Sequence, residues 1–424
     1  MRLNHKRYIL FLVSSILVLL LIIPLYLFVF TEEDNIQAIQ NQASLTFQET
    51  IQNQNTSEKE SHPLKQCFTL QEGRDACYFD FCKKENPYLC AEELLDTIVR
   101  IEGPEQAMVT LQDIMESQLF GIQTDGHQLS HIVGRATPRY YGISPESFMR
   151  CPLSFDRGCQ HGFFQDAFEK YKTPLETAIA ICKKDSDCYH GVGHGFVFHT
   201  SYNLMDALSL CDQLSSLKIR ESCYSGVFME NMTGFFKKTD GELGFVEGDI
   251  LAPCNRVEDR YYKKCWLDHG RYVLFHHNWS LQEALHFCLG AGSHTRGCIL
   301  SLGWIITLME PRELLRGSFE GTSIQTTVYL CNQFPYEYIE TCQQPTIRTF
   351  LSTDGTDIQK RAVEFCLSFQ VGIHNCFKII GADLFEFIQD ADEIMRACNK
   401  APEEYRESCY EGWYESMNIR INTI

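Results

Sequence analysis

No two of the twenty cysteines form a Cys-x-x-Cys pair. That absence removes zinc ribbons, thioredoxin-type redox motifs and the Cys-x-x-Cys-His haem attachment signature together. Gly-x-Ser-x-Gly, His-Glu-x-x-His, Gly-x-Gly-x-x-Gly and Gly-x-x-x-x-Gly-Lys are absent as well, and with them the usual signatures of serine hydrolases, zinc proteases and nucleotide binders. Basic residues are scarce, at 37 Lys and Arg against 55 Asp and Glu in 424 residues. The net charge of −18 is spread without a basic block, so nucleic acid is not an expected partner.

What the chain does have is an even number of cysteines, far above ordinary usage. With metal motifs excluded, disulfides formed in an oxidising compartment account for them. The N-terminus agrees. Arg2, His5, Lys6 and Arg7 precede an uncharged apolar run of 23 residues from Tyr8 to Phe30, and Glu32, Glu33 and Asp34 follow it. Such a run can span a bilayer, and the charge asymmetry places the N-terminus in the cytoplasm and the bulk outside. The expectation is a single-pass signal anchor over residues 1–30. Its extracytoplasmic part would be periplasmic, extracellular or luminal.

Residues 31–65 are too polar to bury a core and read as a stalk. Residues 66–150 read as a helical cap region knotted by Cys67, Cys77, Cys82 and Cys90, with three connectivities open. Within it, the spacing of Leu94, Leu95, Ile98, Val99, Met108, Leu111, Ile114 and Met115 predicts a helix pair broken at Gly103-Pro104. His127 and His131, at i and i+4, sit on a further predicted helix.

From Cys151 to the C-terminus the chain repeats itself. Cysteines fall into short-range pairs: Cys151/Cys159, Cys182/Cys188, Cys211/Cys223, Cys254/Cys265, Cys288/Cys298, Cys331/Cys342, Cys366/Cys376 and Cys398/Cys409. First cysteines recur every 29 to 43 residues, the length of one helical hairpin. Alanine stands four residues before several of them, as at Ala178, Ala207, Ala284 and Ala362. Glycine follows the second cysteine at one of two offsets. It is three residues on at Gly162, Gly191, Gly226 and Gly412, and five residues on at Gly270, Gly303 and Gly381. The Cys342 unit has neither. The pattern predicts an all-α array over residues 151–424: one helix ends at the first cysteine, and the next starts at the second. Small residues let neighbouring helices approach, and the units stack as a solenoid.

The Ala-x-x-x-Cys, short turn, Cys-x-x-Gly pattern resembles cysteine-rich secreted α/α-repeat proteins of the tetratricopeptide-like superfamily, over about residues 151–412. The resemblance implies a disulfide in each hairpin and a concave binding face for a peptide or protein, hence an interaction or assembly module.

A second functional reading comes from the histidines. His161 and His190 hold the same repeat position, two after the second cysteine, and His194 lies one turn beyond His190. Equivalent side chains in stacked repeats are expected on the order of 10 Å apart. With His127 and His131 upstream, five imidazoles could converge, and Asp166 is a candidate carboxylate. Such a set would suit Zn, Fe, Cu or Ni, or the axial ligation of a haem, in an oxidoreductase or hydrolase. His190-Gly-Val-Gly-His194-Gly concentrates glycine where it costs a helix about 1 kcal/mol per position. Either a ligand or a tight helix crossing would explain it. His269, His276 and His277 form a looser group, expected to be structural.

Overall fold

A computed structural model describes residues 64–68, 70, 72–82, 86–117, 126–155, 157–170, 173–308, 323–353, 358–387 and 390–421. Tyr8 to Phe30 and residues 31–63 lie outside them. Among the described residues no helix is long and apolar enough to cross a membrane. The described residues are helical, without strands; one isolated antiparallel bridge joins Val246 and Asp249. All twenty cysteines are paired, and none is free.

The chain divides into two units, residues 1–129 and 130–424. The division falls inside a helix, so residues from Ser130 onward go with the second unit rather than with the expected cap region. In the first unit, α1 (Lys65–Phe68), α2 (Arg74–Cys82), α3 (Pro87–Glu102) and α4 (Pro104–Ser117) pack on one another. Of the three connectivities left open by the sequence, the chain adopts Cys67–Cys77 and Cys82–Cys90. The predicted break is present: Gly103, at φ 102°, turns the chain between α3 and α4, and proline opens the second helix. Leu94, Leu95, Ile98, Val99, Leu111 and Ile114 are buried. Arg74 ties α2 to α3 through Glu102 at 3.1 Å.

The second unit begins with α5 (Gly126–Tyr141, from Ser130), followed by α6 (Pro145–Met149) and α7 (Gly158–Lys170). Then come hairpins of a short helix and a longer one: α8 (Pro174–Cys182) and α9 (Cys188–His199), α10 (Leu204–Asp212) and α11 (Leu217–Lys237). After α12 (Asp259–His276) follow α13 (Leu281–Leu289) and α14 (Thr295–Leu308), then α15 (Ser323–Cys331) and α16 (Ile339–Thr353). The last are α17 (Ile358–Leu367) and α18 (Ile373–Phe387), then α19 (Ala391–Cys398) and α20 (Arg406–Ile421). Short helices start at side-chain caps, as where Asn203, Ser280 and Asp390 accept backbone N–H groups of their first turns.

The disulfides of the array join the cysteines paired from sequence. They are Cys151–Cys159, Cys182–Cys188, Cys211–Cys223 and Cys254–Cys265, then Cys288–Cys298, Cys331–Cys342, Cys366–Cys376 and Cys398–Cys409. Closing loops this short stabilises each hairpin by about 2–3 kcal/mol in the chain-entropy model. The first cysteine sits at or near the end of the short helix in α8, α10, α13, α15, α17 and α19, as expected; Cys151 and Cys254 lie in turns instead.

The expectation that the second cysteine starts the next helix needs correction. Only Cys188 opens its helix, and Cys159 follows Gly158 as the second residue of α7. Cys298 in α14, Cys342 in α16, Cys376 in α18 and Cys409 in α20 lie about one turn inside. Cys223 in α11 and Cys265 in α12 lie about two turns inside. The polar residues between the cysteines are therefore partly helical. Ser216 caps α11 and accepts from Ile219, which lets the longer spacing up to Cys223 wind up as extra turns.

Each longer helix packs on the next: α7 on α9, α9 on α11, α11 on α12, α12 on α14, α14 on α16, α16 on α18 and α18 on α20. The two glycine offsets acquire a meaning here. Residues two apart on a helix point roughly 200° apart, to opposite faces. Glycine three after the cysteine faces the preceding long helix, and glycine five after it faces the following one. A methyl added at Gly226 would strike the His190 carbonyl, and one added at Gly193 would strike the Cys223 carbonyl, so the two glycines form a reciprocal crossing of α9 and α11. Gly134 with Gly162, and Gly381 with Gly412, repeat the arrangement, with the Cys159 and Cys409 carbonyls in the role of Cys223. Gly270 meets Ser301 and Gly303 meets Thr341 from one side only, so α16, which lacks glycine at both offsets, is approached through the glycine of its neighbour. Ala178, Ala207, Ala284 and Ala362 are fully buried beside the staples.

Backbone-against-backbone crossings tolerate no side chain. Gly193→Ala should lower stability by about 1–3 kcal/mol in urea unfolding. Gly290→Ala, at an ordinary αR cap where a methyl meets nothing closer than the Phe287 carbonyl at 3.4 Å, should change it little.

A candidate metal centre

The glycine crossings explain where the histidines meet. Because Gly134 faces the following helix, it is equivalent to Gly193, and so His131 is equivalent to His190. His131, His161 and His190 thus hold one register position on α5, α7 and α9, with His194 one turn further on α9. This position lies on the edge of each helix between its two crossing faces, where neighbouring edges converge on one side.

The rings are closer than the repeat spacing alone suggests. Ring centroids of His131 and His161 are 5.6 Å apart, and those of His161 and His190 are 4.8 Å apart. The expected 10 Å is halved because helices that cross at glycine stand closer than helices separated by side chains. His194 completes the group, 5.2 Å from His131, 5.3 Å from His161 and 5.0 Å from His190. Of the four, His190 is half-buried and the rest are buried. His161, His190 and His194 can each offer a ring nitrogen so that all three lie within 4.8 Å of one another, and His131, His194 and Glu230 do the same. The Nε2 atoms of His190 and His194 are 3.2 Å apart.

Glu230, on α11, was not singled out by sequence. Its only signal is a carboxylate inside the apolar run Val227-Phe-Met-Glu-Asn-Met. It is 2% exposed, with Oε2 2.8 Å from His194 Nδ1. Gln165 Nε2 donates to the same oxygen at 2.9 Å, and Tyr202 Oη donates to Oε1 at 3.2 Å. Burial opposes ionisation of Glu230. The hydrogen bond from His194, the charge that ring carries when protonated, Lys237 and the hydrogen bond from Tyr202 together outweigh it and hold the carboxyl below the usual carboxylate range. Burial and the neighbouring Glu230 push the Tyr202 phenol upward, so it stays a donor. Gln165 Oε1 in turn accepts from Arg135 at 3.1 Å.

Of the remaining sequence candidates, Asp166 is buried but pairs with Arg139 at 3.2 Å and does not join these ligand groups. His127 stands one turn before His131, second in its helix, and belongs to the first unit. The cysteines are structural throughout. Cys159 and Cys188 lie on helices that carry the histidines, and Cys223 on the helix that carries Glu230, yet all three are buried in disulfides and join no ligand group. Cys265, Cys298, Cys376 and Cys409 staple hairpins further along the array and have no part in the centre.

In the looser group each ring has a packing or hydrogen-bond partner. His269 is buried with Nε2 donating to the Ile250 carbonyl at 2.7 Å. His276 packs against Tyr272, and His277 against Phe287.

No family model, no curated protein and no solved structure matches the chain.

Burial gives Asp268 and His269 opposite pH dependence. It pushes the Asp268 carboxyl up to about 7, against the pull of Arg271 and Lys264, and His269 down to about 4. Unfolded, the two titrate near about 3.9 and about 6.5. From about pH 4 to 7 the folded chain keeps a proton on Asp268 that the unfolded chain loses, so that residue's contribution falls as pH rises. From about pH 4 to 6.5 the unfolded chain binds a proton on His269 that the folded chain refuses, so that contribution rises. As pH rises through this range, the urea midpoint of His269→Gln should therefore fall relative to wild type, and that of Asp268→Asn should rise.

Proposed function

We propose that the protein is an exported, disulfide-stapled α-solenoid carrying a transition-metal centre at His161, His190 and His194, with His131 as the adjacent fourth imidazole. One observation carries the reading: two ring nitrogens, His190 Nε2 and His194 Nε2, stand 3.2 Å apart in a cluster of four imidazoles. Zn–N bonds of about 2.0–2.1 Å at a tetrahedral angle put ligand nitrogens about 3.3–3.4 Å apart and ring centres roughly 5 Å apart. The centroid spacings run from 4.8 to 5.6 Å.

The ligand set is all nitrogen, since every described cysteine is oxidised. Imidazole ligands at tetrahedral spacing favour Zn2+, with Co2+ as its spectroscopic substitute, over the square arrangements preferred by Cu2+ or Ni2+. Haem fits less well, because two imidazoles on opposite faces of a porphyrin stand farther apart than any of these pairs. The protein residues would hold the ion and orient it, and the ion would supply Lewis acidity.

The solenoid is supported by the serial packing of each long helix on the next and by the register shared across α5, α7 and α9. It accords with the resemblance to tetratricopeptide-like repeat proteins. Export is supported by the ten disulfides, and membrane attachment through Tyr8 to Phe30 belongs to the same proposal. A peptide- or protein-binding face is compatible with the array, but the imidazole cluster favours the metal reading.

Full-length protein purified from an oxidising secretory compartment should retain stoichiometric transition metal by elemental analysis. His190→Ala with His194→Ala should abolish it while helicity and the disulfide map stay unchanged. A folded wild-type chain that takes up no Zn2+ or Co2+ on titration would overturn the reading.

A further inference from the structure

The hydrogen bonds around Glu230 have fixed directions, and they fix which nitrogen of His194 donates. Arg135 has only donors, so the Gln165 oxygen must face it, and the Gln165 amide nitrogen is left to donate to Glu230. Glu230 Oε2 already accepts from that amide, and it faces His194 as an acceptor too. The His194 nitrogen 2.8 Å from it, Nδ1, must therefore carry the proton. A neutral imidazole protonated on Nδ1 has its lone pair on Nε2, the nitrogen that faces His190 at 3.2 Å.

Resting on the metal reading above, we infer that Glu230 acts from outside the coordination shell: it holds the His194 proton on Nδ1, and Gln165 and Tyr202 hold Glu230 in place. The lone pair of His194 is thereby aimed at the centre before any ion arrives. Arg135, Gln165 and His194 stand one turn beyond His131, His161 and His190 on α5, α7 and α9. A polar row thus runs alongside the imidazole row, and Glu230 reaches into it from α11.

The competing arrangement makes Glu230 a ligand together with His131 and His194. The contacts disfavour it. Oε2 already accepts from both His194 and Gln165, and Oε1 from Tyr202. A carboxylate receiving three hydrogen bonds has little left to offer a cation. Its partner nitrogen on His194 is a donor, which would face the ion with a proton instead of a lone pair.

The test uses the full chain as wild type, Glu230→Gln and Tyr202→Phe, none of which alters an imidazole. Zn2+ affinity is read by competition with a chromophoric chelator. Glutamine at 230 keeps an oxygen that can accept from Nδ1, so the loss reports charge and polarity; it should reach roughly 10–100-fold, with a smaller loss in Tyr202→Phe. The Co2+ absorption spectrum should keep the same shape in wild type and Glu230→Gln, because the ligand set is unchanged. Ring 15N shifts of the metal-free wild type should place the His194 proton on Nδ1. An Nε2-protonated His194, an unchanged Zn2+ affinity in Glu230→Gln, or a Co2+ spectrum altered by that substitution would each overturn the inference. Failure of the wild type to bind any metal would instead overturn the centre itself, while the 15N measurement would still decide the tautomer.

Discussion

The approach of one helix backbone to another at paired glycines is the constraint on which this architecture depends. Gly134 with Gly162, and Gly193 with Gly226, bring helices together so closely that the carbonyl of one meets the Cα of the next. Each contact is individually weak, a Cα–H facing a carbonyl oxygen, but it sets the distance at which everything else packs. The disulfides act at a different level. They hold the two helices of a hairpin and leave the spacing between hairpins to the glycines. Aromatic side chains such as Phe164, Phe168 and Phe196 fill the remaining space beside the crossings.

Glycine and histidine are coupled for this reason. A histidine on the edge of an ordinary repeat helix would see its counterpart a full repeat away. When the helices cross at glycine, the same register position brings the rings within contact, and three successive helices make a cluster from one residue per repeat plus one extra. The sequence His190-Gly-Val-Gly-His194-Gly is explained twice over. Its glycines serve close crossings on both sides of α9, with Gly191 and Gly195 toward α7 and Gly193 toward α11, and its histidines occupy the edge between them.

Much of this was legible in the sequence. Cysteine spacing identified every pair of the array, because a bridge across a short polar turn is local, and Gly103-Pro104 marked its helix break correctly. The histidine set was visible by repeat position and by the i, i+4 rule. Glu230, Gln165, Arg135 and Tyr202 were not, for they lie at separations that only the packing of several helices brings together, and a lone glutamate in an apolar helix has no period to betray it. The helix starts were also misread. Polar residues between the cysteines look like turn, yet they wind into helix ahead of Cys265, Cys298, Cys376 and Cys409, and Ser216 caps α11 well before Cys223. The two glycine offsets could be seen but not interpreted until each was found against a different neighbour.

Every bridge in the chain closes on a cysteine no more than twelve positions away. Oxidation can therefore be completed hairpin by hairpin as the polypeptide emerges, without waiting for distant segments to find one another. The same locality means that a fully and correctly oxidised chain need not be an assembled one. Covalent chemistry certifies the parts, and the order of the stack is left to non-covalent contact between hairpins.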